Sequence, residues 1–210
     1  MKADAVREVY DRRAPSYDRS VGLGERVLLG DLRRAFGAEL RGETLEVAIG
    51  SGLNLPYYPA GVSRAVGLDL SGGMLTQARR RARGLGRAVA LVQGDAEHLP
   101  FADGSFDTVA TSLALCTVPG PAAALRELAR VCRPEGRVVM LEHVRSPVRV
   151  VYAAERLVTP LQERAIGCHL TRETIALAER LGFTIISERR RVFGVFRLVV
   201  SRPPRVTLDS

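Results

Sequence analysis

The middle of the chain alternates short apolar runs with amphipathic segments of helical period. The apolar runs are four to seven residues long and predict strands at 44–49, 64–69, 88–93, 106–111 and 137–142. The helical segments between them cover 71–83, with Ser71 as the capping residue, and 121–132, with proline at its start. Short buried strands separated by helices indicate a parallel sheet that is covered on both faces.

Both ends of the chain depart from this alternation. Helical patterns precede the first strand at 3–12 and 24–40, and two more follow the fifth strand at 147–166 and 171–181, the last with Thr171 as a cap. Apolar runs at 183–188 and 195–201 flank Gly194 and predict a closing antiparallel hairpin, and 202–210 is predicted to be a loose tail.

These patterns predict a single α/β domain over residues 1–210. Within it we expect an N-terminal helical segment over 1–40, an α/β core over 41–201 and a helical insertion over 145–170. The insertion interrupts the alternation, which makes it a candidate substrate cap. The arginine-proline turn at 133–136 is expected to lead into the fifth strand.

A glycine turn closes the first predicted strand. The strand carries Glu46 and ends in Gly50-Ser51-Gly52, and the second strand ends in Asp69, about 20 positions after the first glycine. That spacing places a carboxylate beside the hydroxyls of a nucleoside ribose, while the glycines let the backbone approach the ligand.

The identity of the nucleoside follows from what the turn lacks. Leu55 stands where a dinucleotide-binding loop has its third glycine, and no phosphate-binding loop with a lysine is present. Glu46 would repel a pyrophosphate but suits an ammonium group. Glu46 and Asp69, with the later Gly94-Asp95-Ala96, therefore favour S-adenosylmethionine (SAM), which has a ribose, an adenine and an amino acid but no phosphate.

The same residues resemble motif one and its companions in the class I SAM-dependent methyltransferases, a likeness that runs from about Tyr10 to the C-terminal hairpin. Ala48 replaces the first glycine of the family motif. The resemblance implies that the core over 41–201 is Rossmann-like, with an antiparallel last strand, and that the helical segment over 1–40 is a lid. It also implies cofactor contacts from Glu46, Ala48, Gly50, Gly52, Asn54, Asp69, Leu70, Asp95, Ala96 and Leu113.

Two further segments bear on the acceptor. Tyr10-Asp11-Arg12-Arg13-Ala14-Pro15-Ser16-Tyr17-Asp18 resembles a segment of quinone and phospholipid methyltransferases that folds over the substrate. The tract around Glu142-His143, with Gly167-Cys168-His169, resembles the alkyl-thiol S-methyltransferases and bacterial phospholipid N-methyltransferases. His143 and Tyr17 are therefore candidate catalytic residues, and Tyr10, Tyr17, His143 and His169 are candidate substrate contacts. Alternatively, the tyrosines pin the N-terminal helix and the histidines support neighbouring loops.

Composition excludes some classes of protein but does not identify a function. The three cysteines are widely spaced, no 18-residue apolar run occurs, and the N-terminus lacks the apolar core of a signal peptide. We expect a cytoplasmic protein without a metal site, with peripheral contact to the inner face of the membrane as an alternative. The net charge of +8 comes almost entirely from arginines, which are dispersed along the chain. It is consistent with an anionic partner, or with a genome whose proteins are generally rich in arginine.

The acceptor stays open at this stage. The segment after the fourth strand lacks the polar clamp of nucleobase methyltransferases, and aromatic content is 5%, so a nucleic-acid acceptor is disfavoured. We expect a small apolar or lipid-like acceptor, and we rank a thiol or an amine ahead of a quinone carbon. A SAM-binding module without turnover is the remaining alternative, and the sequence does not determine the oligomeric state.

Overall fold

The protein is described by a computed structural model over residues 2–204. Seven strands form one sheet: β1 (Glu43–Val47), β2 (Arg64–Asp69), β3 (Ala90–Gln93), β4 (Phe106–Ser112), β5 (Cys132–His143), β6 (Thr184–Arg191) and β7 (Phe196–Arg202). Their spatial order is β3-β2-β1-β4-β5-β7-β6. Strands β1 to β5 are mutually parallel, and β7 pairs antiparallel with both β5 and β6. The predicted α/β class and the antiparallel closing hairpin are confirmed.

The strand order reverses between β1 and β4, the two central neighbours. The connections from β1 lead outward to β2 and β3 on one side, whereas β4 continues to β5 on the other. Loops that leave the carboxyl ends of β1 and β4 therefore diverge and open a crevice between them. The glycine turn follows β1 directly, so its position at this crevice is a consequence of the topology.

Seven helices accompany the sheet: α1 (Ala3–Arg13), α2 (Tyr17–Leu29), α3 (Leu32–Ala38), α4 (Gly72–Gly84), α5 (Pro121–Val131), α6 (Arg149–Ile166) and α7 (Thr174–Arg180). Apolar side chains fill two clusters. One contains Leu45, Val109 and Leu128, and the other contains Phe36 and Leu141. Because side chains alternate between the faces of a strand, both faces of the sheet are buried. Ser71 caps α4 as predicted, since its hydroxyl accepts a hydrogen bond from the Met74 N–H at 3.0 Å.

The structure corrects two predicted helices. The helix predicted over 24–40 is divided at Gly30, whose φ of +56° ends α2, and α3 begins at Leu32. The helix predicted over 171–181 begins only at Thr174, and Thr171 is not its cap. The N–H of Arg172 instead closes a turn onto the carbonyl of His169, and its guanidinium binds the carbonyls of Leu115 and Val118.

The predicted turn at 133–136 lies inside β5. Phe106 of β4 pairs with Cys132, and Thr108 pairs with Arg137, so the intervening residues bulge out of the ladder. The bulge leaves the rest of β5 in register with β4 up to Leu141. Of the tail predicted at 202–210, Arg202 ends β7, and residues 205–210 lie outside the described residues.

Candidate active site

A cavity opens at the carboxyl ends of β1, β2 and β4, beneath the N-terminal helices. It holds about 900 Å³ of empty space, including its open mouth. Most of the predicted cofactor residues line it: Glu46, Ala48, Gly50, Asn54, Asp69, Leu70, Asp95, Ala96 and Leu113. Gly52 does not line the cavity, but it is needed in the turn, because its φ is +79° and a Cβ atom would lie 2.8 Å from Leu55 Cδ1.

Asp69 ties the turn after β1 to the turn after β2. Its carboxylate accepts hydrogen bonds from the backbone N–H groups of Gly50, at 2.8 Å, and Ser71, at 2.9 Å. The side chain is buried, and burial raises its pKa to about 6. Each carboxylate oxygen accepts one of these bonds and has a further lone pair, so both oxygens can accept hydrogen bonds from a ligand.

The backbone is strained at two positions of the cavity wall. Ala48 has a φ of +55° and Leu113 a φ of +54°, in the left-handed region that favours glycine. Ala48 stands where the family motif has glycine, so the left-handed backbone costs more conformational energy here than it would with glycine. Strain of this kind persists where surrounding contacts fix the backbone, as they do around a ligand site.

Ala48→Gly is expected to increase the free energy of unfolding by about 0.5–1 kcal/mol. The left-handed conformation costs alanine about 1–2 kcal/mol, which exceeds the entropy that glycine loses on folding. Urea unfolding of the ligand-free protein measures the change. Gly50→Ala is the matched control and should be destabilised, because Gly50 has a φ of +59° and a new Cβ would meet only Met74 Cε at 3.6 Å. A less stable Ala48→Gly protein would contradict the argument.

Glu46 lines the same cavity and belongs to a buried polar network. Its carboxylate accepts hydrogen bonds from Asn54 Nδ2, at 2.6 Å, and from the Tyr58 hydroxyl. Arg33 donates to Asn54 Oδ1 at 2.6 Å and forms an ion pair with Glu25. Burial raises the pKa of Glu46 to about 7, since these bonds only partly replace the water that the carboxylate has lost.

The N-terminal helices cover the cavity, and the Tyr10–Asp18 segment attaches them. The Asp11 carboxylate accepts hydrogen bonds from Ser71 Oγ and the Gly73 N–H at the start of α4. Asp18 accepts from Ser51 Oγ in the glycine turn and from Arg81, each at 2.6 Å. The two aspartates therefore bind the lid to the loops after β2 and β1.

The two tyrosines of this segment face the cavity instead. The rings of Tyr10 and Tyr17 lie 6.2 Å apart at an interplanar angle of 53°. Burial raises the pKa of both phenols well above the ordinary value. Tyr17 therefore stays protonated at neutral pH and can act there as a hydrogen-bond donor or an aromatic surface, not as a phenolate base.

The two histidines lie outside the cavity lining. His143 packs edge-to-face on Phe196, with ring centroids 5.3 Å apart, and burial lowers its pKa to about 4. His169 approaches Glu163, and its backbone N–H binds the carbonyl of Cys116. Neither position gives geometric support to a base or a substrate contact in this cavity, so those two roles stay predictions.

Several residues that shape the cavity carry no sequence signal. Arg33, Glu25 and Ser112 line it, and Arg33 lies 3.5 Å from Ser112 Oγ. The buried Glu142 supports the wall from behind, because its carboxylate accepts hydrogen bonds from the N–H groups of Ala114 and Leu115, each at 3.2 Å. These contacts join residues that are far apart in the chain and belong to no local motif.

The lining has the chemistry that SAM requires. Asp69 can accept hydrogen bonds from ribose hydroxyls, and Glu46 can attract the ammonium group of an amino acid. The raised pKa values of both carboxylates show that burial outweighs the stabilisation from their hydrogen bonds and from nearby cations such as Arg33. A ligand with a sulfonium and an ammonium would supply the missing positive charge.

Comparisons with known proteins agree with this geometry. The family model described as "Methyltransferase domain" matches residues 45–140. A phosphatidylethanolamine N-methyltransferase of Cereibacter sphaeroides is 36% identical over 174 residues, covering 80% of this chain and 82% of that protein. A demethylmenaquinone methyltransferase of Renibacterium salmoninarum is 37% identical over 162 residues, which cover 72% of this chain and only 65% of that protein.

The fold agrees as well. The crystal structure of a SAM-dependent methyltransferase from Thermotoga maritima superposes with a TM-score of 0.72 at 20% identity, covering 94% of this chain and 99% of that one. The sheet and its antiparallel hairpin therefore form a fold that is known from solved structures. Together with the extended identity to curated enzymes and the cavity at the switch point, this shows that the chain belongs to the SAM-dependent methyltransferases.

Proposed function

We propose that this methyltransferase methylates the amine headgroup of a phospholipid. The observation that carries the proposal is the pair of half-buried, protonated tyrosines, Tyr10 and Tyr17, facing an apolar wall of the cavity. Aromatic faces attract an alkylated ammonium group, and an apolar wall accepts the rest of an amphiphilic molecule. The similarity to a phosphatidylethanolamine N-methyltransferase over 80% of the chain supports the same acceptor.

Four residues would hold the cofactor. Asp69 accepts hydrogen bonds from the ribose hydroxyls, Leu70 and Ala96 enclose the adenine, and Glu46 faces the ammonium group. When bound, SAM supplies an electrophilic methyl group on a sulfonium, which is an excellent leaving group. The chain therefore has to orient the two reactants and exclude water, and positioning alone is a large source of rate acceleration.

The part of the cavity that would bind the acceptor provides an apolar wall and a route for a proton to solvent. The wall after β4, with Leu113, Ala114 and Val118, would contact apolar parts of the acceptor. An ammonium headgroup must lose one proton to become a nucleophile, and this proton leaves to solvent through the open mouth. A new nitrogen–carbon bond forms as the sulfur–carbon bond breaks, so the nitrogen regains its positive charge beside Tyr10 and Tyr17.

SAM affinity is expected to rise about eightfold between about pH 6 and about pH 7.5. Burial places the pKa of Glu46 at about 7, so this carboxyl is mostly protonated at the lower pH and mostly ionised at the higher. Only the ionised form attracts the ammonium group. Calorimetric titration in buffers of different ionisation enthalpy measures both the affinity and the proton released on binding.

Glu46→Gln is the control for this pH dependence. Glutamine keeps an acceptor oxygen for Asn54 or Tyr58 but cannot ionise, so SAM should bind weakly and with a flatter pH profile. A variant that retains the full eightfold rise would show that another group, such as Asp69, is responsible.

A quinone carbon is the second candidate acceptor. It is favoured by the similarity to a demethylmenaquinone methyltransferase, of which this chain spans 65%. Carbon methylation of a quinol requires a base near the ring, and the carboxylates that line the cavity are Glu25, Glu46, Asp69 and Asp95. Glu25 is already paired with Arg33, Glu46 and Asp69 are assigned here to SAM, and Asp95 is a predicted cofactor contact, which favours the amine.

The function is tested by transfer of a labelled methyl group from SAM to a panel of acceptors. The panel contains phosphatidylethanolamine in vesicles and in detergent micelles, a demethylated quinol and an alkyl thiol. The proposal expects label in phosphatidylethanolamine, and Tyr10→Leu with Tyr17→Leu should reduce that transfer more than it reduces SAM binding. Label only in the quinol or the thiol would overturn the acceptor, and SAM binding without transfer to any acceptor would indicate a module without turnover.

A further inference from the structure

Helix α6 presents its apolar side to solvent. Three of its side chains are largely exposed: Val150 at 80%, Leu157 at 83% and Leu161 at 70%. With the exposed Ala154, Val158 and Ala165 they fall at helical spacing on one stripe, about 100° wide, that contains no polar residue. The stripe runs from Val150 to Ala165 of this 18-residue helix and extends for about 24 Å.

The opposite side of α6, which packs on the domain, is the more polar one. Glu155 is buried there, and its carboxylate accepts a hydrogen bond from the Ser146 N–H at 3.0 Å. Tyr152 is half-buried under the guanidinium of Arg145, which lies 4.5 Å from the ring centroid. A surface helix ordinarily buries its apolar stripe, so this inverted arrangement leaves the stripe free for another surface.

Charge identifies the kind of surface. Arg164 borders one edge of the stripe, and the exposed Arg149 and Arg156 lie farther round the helix on that same side. Within residues 2–204, which the structure describes, none of the three forms an ion pair with a carboxylate. The acidic residues of the helix, Glu155 and Glu163, lie away from the stripe. An apolar stripe with an arginine border is complementary to an anionic lipid surface.

We propose that the stripe of α6 docks this protein onto the surface of an anionic lipid bilayer. No helix among the described residues is long and apolar enough to cross a membrane, so the contact is one of a helix lying in the interface. A second copy of the chain suits the surface less well, because an antiparallel two-fold pairing of α6 would bring the two arginine borders side by side.

Docking would also place the cavity near the lipids. Helix α6 contacts α1, and α1 contributes Val6, Arg7 and Tyr10 to the cavity lining. The lid would then lie beside the headgroup region, where an amphiphilic acceptor can reach it without leaving the bilayer completely. The stripe itself is separate from the cavity, so the docking proposal stands whichever acceptor is methylated.

Vesicle flotation tests the proposal with the full chain. Wild-type protein should bind vesicles of phosphatidylcholine mixed with phosphatidylglycerol, and bind pure phosphatidylcholine at least tenfold more weakly. Leu157→Asp with Leu161→Asp should reduce binding to the mixed vesicles at least tenfold. The matched control is Leu85→Asp, which changes a leucine that is 43% exposed at the end of α4, and it should bind like the wild type.

The arginine border is tested separately. Replacing Arg149, Arg156 and Arg164 by glutamine should remove the preference for phosphatidylglycerol and the salt dependence of binding. Wild-type protein that fails to float, or a double aspartate variant that floats as well as wild type, would overturn the proposal. So would a dimer in solution, seen by analytical ultracentrifugation, that the double aspartate variant abolishes.

A methylation assay separates this inference from the proposed function. With phosphatidylethanolamine dispersed in detergent micelles, the double aspartate variant should retain wild-type turnover, because α6 does not line the cavity. With the same lipid in anionic vesicles, its turnover should fall together with its binding. Turnover on micelles without wild-type flotation would refute docking alone, whereas flotation without any turnover would refute the acceptor alone.

Discussion

Asp69→Ala is expected to weaken SAM binding by about 1.5–3 kcal/mol, a loss of about 10- to 150-fold, because it removes a charged acceptor of hydrogen bonds. The carboxylate lies where the second strand ends, and both of its oxygens are already aimed by the Gly50 and Ser71 N–H groups. Such fixed acceptors lose little entropy when a ribose binds. Isothermal titration of the purified variant measures the loss.

The pattern of the loss across ligands tests the assignment more sharply than its size. SAM, S-adenosylhomocysteine and adenosine share the ribose, so Asp69→Ala should weaken all three by the same factor. The matched control is Asp103→Ala, which removes an exposed carboxylate that forms an ion pair with Arg130. It should leave the affinity for all three ligands unchanged. An unchanged affinity for adenosine in Asp69→Ala would refute the ribose contact.

The parts of this site that were predictable from sequence are local. The strand that ends in the glycine turn, and the strand that ends in Asp69, are read from residues that are neighbours in the chain and fold next to one another. The cap at Ser71 is local as well, and it is present. Short-range patterns of this kind determine backbone conformation, so they fix the position of a carboxylate along its strand.

Contacts between distant segments could not be read in the same way. Arg33 reaches Asn54 over 21 positions, and Asp18 reaches Ser51 over 33. Neither pair belongs to a pattern with a fixed period, so nothing in the local sequence indicates which partners Arg33 and Asp18 have. Asp11 and Asp18 belong to the segment that resembles other methyltransferases, but only their hydrogen-bond partners in the structure show that they attach this segment to the loops after β2 and β1.

The prediction for His143 shows a second limit. Its position at the end of β5, beside the crevice, was predicted correctly, but neighbouring side chains on a strand point to opposite faces. Glu142 therefore points towards the loop after β4, and His143 points towards Phe196. Which face of the strand supports the cavity wall depends on packing against other elements, so the sequence did not reveal the contact that Glu142 makes there.

Glu142 is accordingly the residue of this tract with the largest expected effect on stability. Glu142→Ala should lower the free energy of unfolding by about 2–6 kcal/mol, because it leaves the N–H groups of Ala114 and Leu115 buried without an acceptor, at about 1–3 kcal/mol each. SAM affinity should fall as well, since Leu113 in the same loop lines the cavity in a strained conformation. Urea unfolding with and without SAM measures both effects.

The dependence of the free energy of unfolding on pH tests whether Glu142 is the group that titrates. Burial raises the pKa of Glu142 to about 8 in the folded protein, from about 4.5 in the unfolded chain. Because of Glu142, the free energy of unfolding therefore falls as the pH rises from about 4.5 to about 8, and it does not fall further above that pH. Glu46 and Asp69 act in the same direction but level off at about 7 and about 6. Between about pH 7 and about pH 8, therefore, ligand-free wild type should lose stability that Glu142→Gln, which cannot ionise, retains. If both proteins lose the same amount over that interval, Glu142 is not the group that titrates.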